Sequence, residues 1–317
     1  MQHRADVLVY KFSPLIVIVA AVVYNLSLDA LLDSGYSSSS VLVYRGILSM
    51  TITMLFALNS GQSVMPKKLH LQLLRLTNSG IGLLLAFEAY KGLTASTVAM
   101  VSRLDIPIAV LIGFAAGKRA RDFKVGLSVF AICLVLSILL FSSTINEDPL
   151  SLTLSIIAVV QVSISYLLIK RSTKDENNFS IVNTTNIGCL LIGAIAGVVR
   201  GNMGWIHAEH LWVFALASLS QFALNYTSAV VYRRREVERA QRPYLIGALV
   251  VMVVEQVITW HFFAPLHIAY ILGVIGVIYI ITLKQVPGQK QVAWVKSKLG
   301  RGEQDEPEDE EIVRAVD

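Results

Sequence analysis

Ten long apolar stretches constrain this chain more than any other feature of its sequence. An α-helix rises 1.5 Å per residue, so about 20 apolar residues cross the hydrocarbon core of a membrane, whereas a barrel strand needs about 10 alternating ones. The stretches therefore predict an all-α membrane protein with ten transmembrane helices. They lie at Ser13–Leu31, Val41–Ala57, Leu73–Leu93, Thr94–Gly117, Phe123–Phe141, Leu152–Ile169, Ile181–Val199, Leu211–Val231, Tyr244–Trp260 and Leu266–Leu283.

The overall composition agrees with a protein that has lipid as part of its solvent. Hydrophobic residues make up 55% of the chain and charged residues 15%, and the mean hydropathy is +0.63. Soluble domains contain about 45–50% apolar and about 25% charged residues. Cys133 and Cys189 both lie inside apolar stretches, which predicts small buried side chains rather than a disulfide. The lipid bilayer is thus the first predicted partner.

The basic residues alternate along the chain as membrane topology requires. With a cytoplasmic N-terminus and ten spans, 23 of the 27 Lys and Arg residues fall in cytoplasmic segments or at span ends on that side, and the outer side has only Lys91 and Arg200. Cytoplasmic loops carry such an excess of positive charge. We therefore expect a multi-pass protein with both termini in the cytoplasm, in a membrane such as the bacterial inner membrane. We attribute the net charge of +5 to the basic residues that orient the protein in the membrane, and it does not indicate a nucleic-acid partner.

The chain divides into two halves and a tail. Residues 284–317 change character, and the segment Gly302–Glu311 is acidic with few large apolar side chains, so we expect a disordered cytoplasmic tail. Residues 1–142 and 143–283 would hold five spans each. Because an odd number of spans reverses the second half, the halves would be inverted repeats, as in many carriers.

Short motifs in the two halves favour this repeat. Arg103 stands four residues before Pro107, and Arg239 stands four residues before Pro243. Each proline is followed by an apolar run of similar length that ends at a charged residue, Lys118 in the first half and Glu255 in the second.

With these motifs the sequence resembles the drug/metabolite transporter superfamily, EamA type. The positions that carry the resemblance are Arg45 in VYRGILS, Ala89-Tyr90, Pro107, Gly117-Lys118-Arg119 and Gly126, then Pro243, Glu255, Gly273 and Gly276. The resemblance implies two inverted five-helix repeats around a central cavity, with helices five and ten at the periphery. It also implies gradient-driven movement of small metabolites, amino acids among them. Lys118 stands where the family usually has Glu, and the segment Tyr232–Arg242 is more charged than is usual.

Charged residues in the fourth span point to a ligand site. Arg103 lies nine residues into the span, about 14 Å along a helix and close to the membrane midplane. Asp105 is roughly 200° around the helix from it, so the two do not pair with each other. Pro107 frees a backbone carbonyl at this level. One charge of each sign suits a zwitterionic substrate; structural ion pairs to other helices are the alternative.

Neutral polar residues recur inside other spans, and we expect them to ring the same cavity. Hydrogen bonds that hold the helices together are the alternative. The residues are Asn25 in the first span, Gln161 and Tyr166 in the sixth, and Gln221, Asn225 and Tyr226 in the eighth.

Two carboxylates within spans, Glu88 and Glu255, are candidates for coupling transport to a proton or sodium gradient, because a carboxyl group in a low-dielectric cavity is easily protonated. The alternative is that they are counter-ions of Arg103 or Arg45. Arg45 lies near the outer end of the second span, and we expect its long side chain to reach the headgroups.

The remaining patterns bear on the class of protein. Gly113 and Gly117, and then Gly193, Gly197 and Gly201, allow close helix packing within a monomer or in a weak homodimer. The sequence lacks the HExxH, GxSxG and Walker-type motifs, so we expect no enzyme, cofactor or metal. The sequence predicts a secondary-active transporter of small polar metabolites, with amino acids and related zwitterions as candidate substrates. Export is the favoured direction, and alternating access is the expected mechanism. A membrane-embedded enzyme and a non-transporting receptor or scaffold are the alternatives.

Overall fold

The computed structural model describes residues 2–94 and 148–234 without a gap, together with scattered positions in 97–112 and 243–257. All regular structure in these described residues is helical. Two single-turn 3-10 helices occur at Ser102–Leu104 and Ala208–His210. The long helices are α1 Gln2–Asp33, α2 Ser38–Asn59, α3 Leu69–Ala89, α4 Pro149–Ser172, α5 Asn178–Arg200 and α6 Leu211–Arg234.

Four of these helices are long and apolar enough to cross a membrane. They are the Asp6–Asp33 part of α1, together with α2, α4 and α5. The prediction of an all-helical chain with membrane-type helices is confirmed at this level. The count of ten helices stays a prediction, because the predicted spans at 123–141 and 266–283, most of those at 94–117 and 244–260, and the tail at 284–317 lie outside the described residues.

Polar caps explain why the helices extend past the apolar stretches. Ser37 accepts a hydrogen bond from the Ser40 amide at the start of α2, and Asp148 accepts from Leu150 and Ser151 at the start of α4. Side-chain oxygens satisfy the amides that a helix start leaves unpaired. At the end of α5, Gly201 takes a left-handed conformation with φ +61°, which suits a residue without a Cβ. Hydropathy detects only the part of each helix between such caps.

The six helices pack mainly as three pairs, each joining a helix from the first half of the chain to one from the second. The most extensive interfaces are α2 with α5, α3 with α4, and α1 with α6, followed by α3 with α5 and α2 with α6. A hydrophobic core that includes Leu28, Leu42, Phe87 and Phe214 lies between them. Large apolar side chains such as Leu55 and Val198 remain exposed on the outside of the bundle.

The loops lie at two ends of the bundle. At one end, which we call the basic end, the Glu176 carboxylate accepts hydrogen bonds from the amides of Lys67 and Lys68 at 2.7 and 2.8 Å, and Arg233 donates to the Glu176 carbonyl. At the opposite end, Ser37 donates to the carbonyl of Asn202 at 2.8 Å. It follows that α1, α3 and α5 run from the basic end to the opposite end, and α2, α4 and α6 run back.

Glycines allow the closest helix crossing, between α3 and α5. A Cβ on Gly80 would lie 2.6 Å from the Gly188 carbonyl oxygen, and one on Gly188 would collide with the Leu76 carbonyl oxygen. Gly193 packs against Leu42 and Val43 of α2 in the same chain. These described glycines therefore serve packing within the chain, while Gly113 and Gly117 lie outside the described residues.

Candidate substrate cavity

A cavity of about 200 Å³ lies between the helices. Residues of α1, α3, α4 and α6 form most of its wall, and α5 and the segment 98–105 complete the part that the structure describes. Its wall mixes apolar side chains with hydroxyl, amide and carboxylate groups. A mostly apolar cavity with a few polar groups in its wall is the usual form of a site for a small organic molecule.

Five residues that the sequence predicted for the cavity lie in its wall: Asn25, Asp105, Tyr166, Gln221 and Asn225. Asp105 is fully buried, and its backbone carbonyl accepts a hydrogen bond from the Ser163 hydroxyl at 3.0 Å. The Asn25 amide is engaged on both sides, because its nitrogen donates to the Ala21 carbonyl at 2.7 Å and its oxygen accepts from the Tyr90 hydroxyl.

Two other predicted residues lie elsewhere, and the structure gives the reason for each. Gln161 lies at the contact of α4 with α3, where Gly82 leaves room for its side chain and its backbone carbonyl accepts from Asn78. Tyr226 follows Asn225 by one residue and so lies about 100° around α6. Its hydroxyl donates to Asp6 at 2.8 Å, toward the basic end. Neither residue lines the cavity in the part of the chain that the structure describes.

The charged candidates are only partly within the described structure. The backbone of Arg103 forms part of the turn Ser102–Leu104, but its side chain and the whole of Glu255 lie outside the described residues. Glu88 lies in the last turn of α3, where its carboxylate bonds to Lys91 at 2.7 Å and to Arg200. It joins the end of α3 to the end of α5 and does not line the cavity.

The place of Arg45 differs from the one expected from the sequence. Its side chain does not reach the headgroups, because the residue is 1% exposed inside the bundle. Nη1 donates to the Tyr24 hydroxyl oxygen and, at 3.0 Å, to Gln221 Oε1; Nη2 lies 3.0 Å from Cys189 Sγ. The guanidinium carbon is 4.9 Å from the centre of the Phe87 ring. Tyr24, Gln221 and Phe87 line the cavity, so Arg45 lies directly behind its wall.

A second buried arginine, Arg75, lies in the contact of α3 with α5. The sequence placed Arg75 among the cytoplasmic basic residues, but it is fully buried in the second turn of α3. It donates to Gln72 Oε1 at 2.8 Å, to Thr185 Oγ1 at 2.7 Å and to the Ile181 carbonyl. Thr185 also lines the cavity. The sequence signal for burial of these two arginines was their distance from the end of the helix. That distance does not distinguish a side chain that extends to the membrane surface from one that points into the bundle.

Metal ligation has no support in the described part of the chain, where no group of three or more His, Cys, Asp and Glu side chains could hold an ion. The wall of the cavity instead offers hydroxyl, amide and carboxylate groups, which recognise polar organic molecules through hydrogen bonds.

Comparison with known proteins gives a likeness of fold alone. No family model matches the chain. No curated protein matches it either. Among 26 matching solved chains, one described as "Crystal structure of protein" superposes with a TM-score of 0.65 over 86% of this chain and 97% of its own length, at 14% identity. The architecture is therefore one that solved structures share.

Proposed function

We propose that this protein is a secondary-active transporter of small polar metabolites, amino acids or related zwitterions among them, with export the favoured direction. The observation that carries the proposal is a cavity of about 200 Å³ with amide, hydroxyl and carboxyl groups in a mostly apolar wall, deep between helices of which α1 and α4 are apolar enough to cross a membrane. Polar groups at that depth are costly unless they serve a partner or a passing substrate. The proposal includes the relationship to drug/metabolite transporters of the EamA type.

An inverted repeat is part of the same proposal, and the helix interfaces support it. In the repeat, α1 corresponds to α4, α2 to α5 and α3 to α6. The α3/α4 interface then corresponds to the α6/α1 interface, and the α3/α5 interface corresponds to the α6/α2 interface. The α2/α5 interface corresponds to itself. Each helix runs opposite to its counterpart. The cavity lies between α1 and α4 and between α3 and α6, and the two helices of each pair are counterparts in the proposed repeat. Transporters with inverted repeats bind their substrates at such a repeat interface.

Alternating access requires that each end of the cavity can close and open, and the hydrogen bonds at the two ends suit that role. At the basic end, Glu176 joins the loop before α5 to the loop before α3. At the opposite end, Asn202 follows α5 and accepts hydrogen bonds from Ser37, which precedes α2, and from Ser39 in its first turn. These bonds connect the two halves of the chain. Water can replace such bonds when one end opens, at little cost compared with separating a packed apolar core.

Within this proposal Asp105 and Arg103 meet the charged groups of the substrate, and Asn25, Tyr166, Gln221 and Asn225 complete the site. The placement of Asp105 in the wall supports its role. Coupling to a proton or sodium gradient is assigned to Glu255, because Glu88 already has Lys91 and Arg200 as partners at the end of α3.

The test is transport by the purified protein in liposomes, with labelled amino acids and an imposed proton or sodium gradient. We expect saturable uptake that Asp105→Asn reduces about tenfold or more, because the substitution removes the charge that faces the substrate. Asp33→Asn, at an exposed position at the end of α1, is the matched control and should transport normally. Flux no greater than in protein-free liposomes would contradict the proposal. A chemically altered product without flux would favour the membrane-embedded enzyme.

A further inference from the structure

We infer that the wall of the cavity between α1 and α6 is a carboxylate subsite. Tyr24, Gln221 and Asn225 present hydrogen-bond donors to a carboxylate of the transported molecule, and Arg45 behind them supplies the positive charge. This inference rests on the proposed transport function and narrows its substrates to molecules that carry a carboxylate.

The hydrogen bonds of Arg45 determine which way its neighbours face. A guanidinium has five N–H donors and no acceptor, so Tyr24 and Gln221 both meet Arg45 with an oxygen atom. The hydroxyl hydrogen of Tyr24 and the amide N–H groups of Gln221 are then left to donate elsewhere. Because both side chains line the cavity, Arg45 makes this part of the wall a surface of donors.

Asn225 adds a third donor to the same wall. It lies four residues after Gln221, so the two share one face of α6, and it also lines the cavity. Its Nδ2 atom is buried and has no hydrogen-bond partner among the described residues. A buried amide without an acceptor is costly, and the carboxylate of a bound substrate would provide one.

The charge of Arg45 points to the same ligand. The guanidinium is buried against the neutral groups of Tyr24, Gln221 and Cys189 and the ring of Phe87. None of its hydrogen-bond partners in the described part of the chain is a carboxylate. A buried cation requires compensation, and contact with an aromatic ring offsets only part of the cost. An anion bound by the hydrogen-bond donors in front of Arg45 would compensate the rest of its charge.

The other polar groups of the cavity do not compete for this role. Asn25 is engaged on both sides, and Ser79 and Ser165 lie within hydrogen-bond distance of each other. The carboxyl group of Asp105, which the segment 98–105 contributes to another part of the wall, suits the ammonium group of a zwitterion rather than its carboxylate. The α1 and α6 side of the cavity is thus the place for the carboxylate.

The decisive variant is Gln221→Glu, which has nearly the same shape. The substitution removes amide donors from the wall and gives Arg45 a carboxylate of its own. The probes are L-amino acids and the corresponding amino-acid amides, which keep the ammonium group and lack the carboxylate. We expect wild-type protein to prefer the acids, and Gln221→Glu to lose about tenfold or more of its apparent affinity for the acids but not for the amides. The unliganded variant should also melt at a higher temperature.

The matched control is Gln72→Glu, which places the same new charge beside the other buried arginine, Arg75. Gln72 accepts from Arg75 at 2.8 Å, as Gln221 accepts from Arg45, but it does not line the cavity. This control should keep the wild-type preference for acids. Tyr24→Phe, which removes one donor and keeps the ring, should lower that preference and tests the subsite even if Gln221→Glu does not fold.

The outcomes separate the two proposals. Transport of amides as readily as acids by the wild-type protein would overturn the carboxylate subsite and leave the transport function standing. An unchanged preference in both Gln221→Glu and Tyr24→Phe would do the same. Failure of the wild-type protein to move any amino acid, amide or other polar metabolite would contradict the transport function itself, and the subsite with it.

Discussion

Two arginines, Arg45 and Arg75, are buried on either side of the cavity, and their surroundings differ. Arg75 donates to a backbone carbonyl and to two side chains packed between α3 and α5, and the carboxylate of Glu176 interacts with it electrostatically. Arg45 donates to Tyr24 and Gln221, which both line the cavity, and has no carboxylate among its described partners. The difference agrees with a role of Arg75 in holding α3 and α5 together, and with the role inferred for Arg45 behind the carboxylate subsite.

The two arginines occupy related places in the proposed repeat. Arg45 is the eighth residue of α2 and reaches α6; Thr185, which accepts from Arg75, is the eighth residue of α5 and faces α3. Exchange of the two halves interchanges these two helix contacts. One contact therefore carries its guanidinium on α2 and the other carries it on α3, so under the proposed repeat the two equivalent contacts are both buried and polar but differ in chemistry.

The largest expected effect comes from removing each arginine in turn. Arg75→Met should lower the free energy of unfolding by about 3–5 kcal/mol, because it leaves buried acceptors and the nearby Glu176 without their cation. Arg45→Met should cost clearly less, because its partners face a cavity that water can enter and an incompletely compensated charge is removed. Melting temperatures of the two variants in the same detergent measure the difference. Equal losses would contradict the contrast between the two sites.

A smaller effect is expected from the helix contact that holds Arg75. Gly188→Ala places a methyl group against the Leu76 carbonyl oxygen. The contact is with backbone atoms of Leu76, which cannot move aside as a flexible side chain can. Such overpacking costs about 1–3 kcal/mol, so the melting temperature should fall. Gly204→Ala is the control, because the nearest atom to its added Cβ is 4.0 Å away. If Gly188→Ala melts at the wild-type temperature, the close crossing of α3 and α5 is not what fixes Arg75.

The smallest expected effect concerns the surface ion pair at the basic end. Lys68 lies 2.7 Å from Asp175, with side chains 51% and 40% exposed, and its hydrogen bond lowers the pKa of the Asp175 carboxyl below the ordinary value. A lowered folded-state pKa stabilises the fold above the unfolded pKa, and that stabilisation is lost as the pH falls through the folded-state value.

Asp175→Asn should therefore lower the melting temperature slightly at pH 7, and the difference from wild type should disappear as the pH falls below about 4. Melting curves over a pH series measure this. Asp33→Asn, which removes an exposed carboxylate with no ion pair in the described part of the chain, should show a smaller difference at every pH. A difference for Asp175→Asn that grows toward low pH would have the wrong sign.

The positions of the long helices could be predicted from the sequence because lipid imposes a simple rule on side-chain polarity. The predicted third span runs to Leu93, but α3 ends at Ala89 and is followed by a turn. The turn at Tyr90–Gly92 is short and lies between apolar residues, so a hydropathy pattern taken over a whole span does not separate it from the helix. The outer limits of α1, α4 and α6 were missed for the opposite reason, since polar residues continue the helix beyond the apolar stretch.

The site was harder to predict because it depends on which faces of different helices meet. Polar residues at mid-span led to Asn25, Gln221 and Asn225, which lie in the cavity wall, but the same rule gave Gln161 and Tyr226, which do not. Rotation of a helix by one residue, about 100°, decides between the cavity and a neighbouring helix. The place of Arg45 depends on Tyr24 and Gln221 lying at its own depth, which requires the packing of α1, α2 and α6.

The long separation between Arg45 and its partner Gln221 has a consequence for biosynthesis. The two residues are 176 positions apart in the chain, and ribosomes add about 5–20 residues each second. Arg45 is therefore synthesised on the order of 10–35 s before Gln221. During that interval Tyr24 is the one of its two oxygen partners already synthesised. The guanidinium of Arg45 thus stays incompletely bonded until α6 is synthesised and completes the bundle.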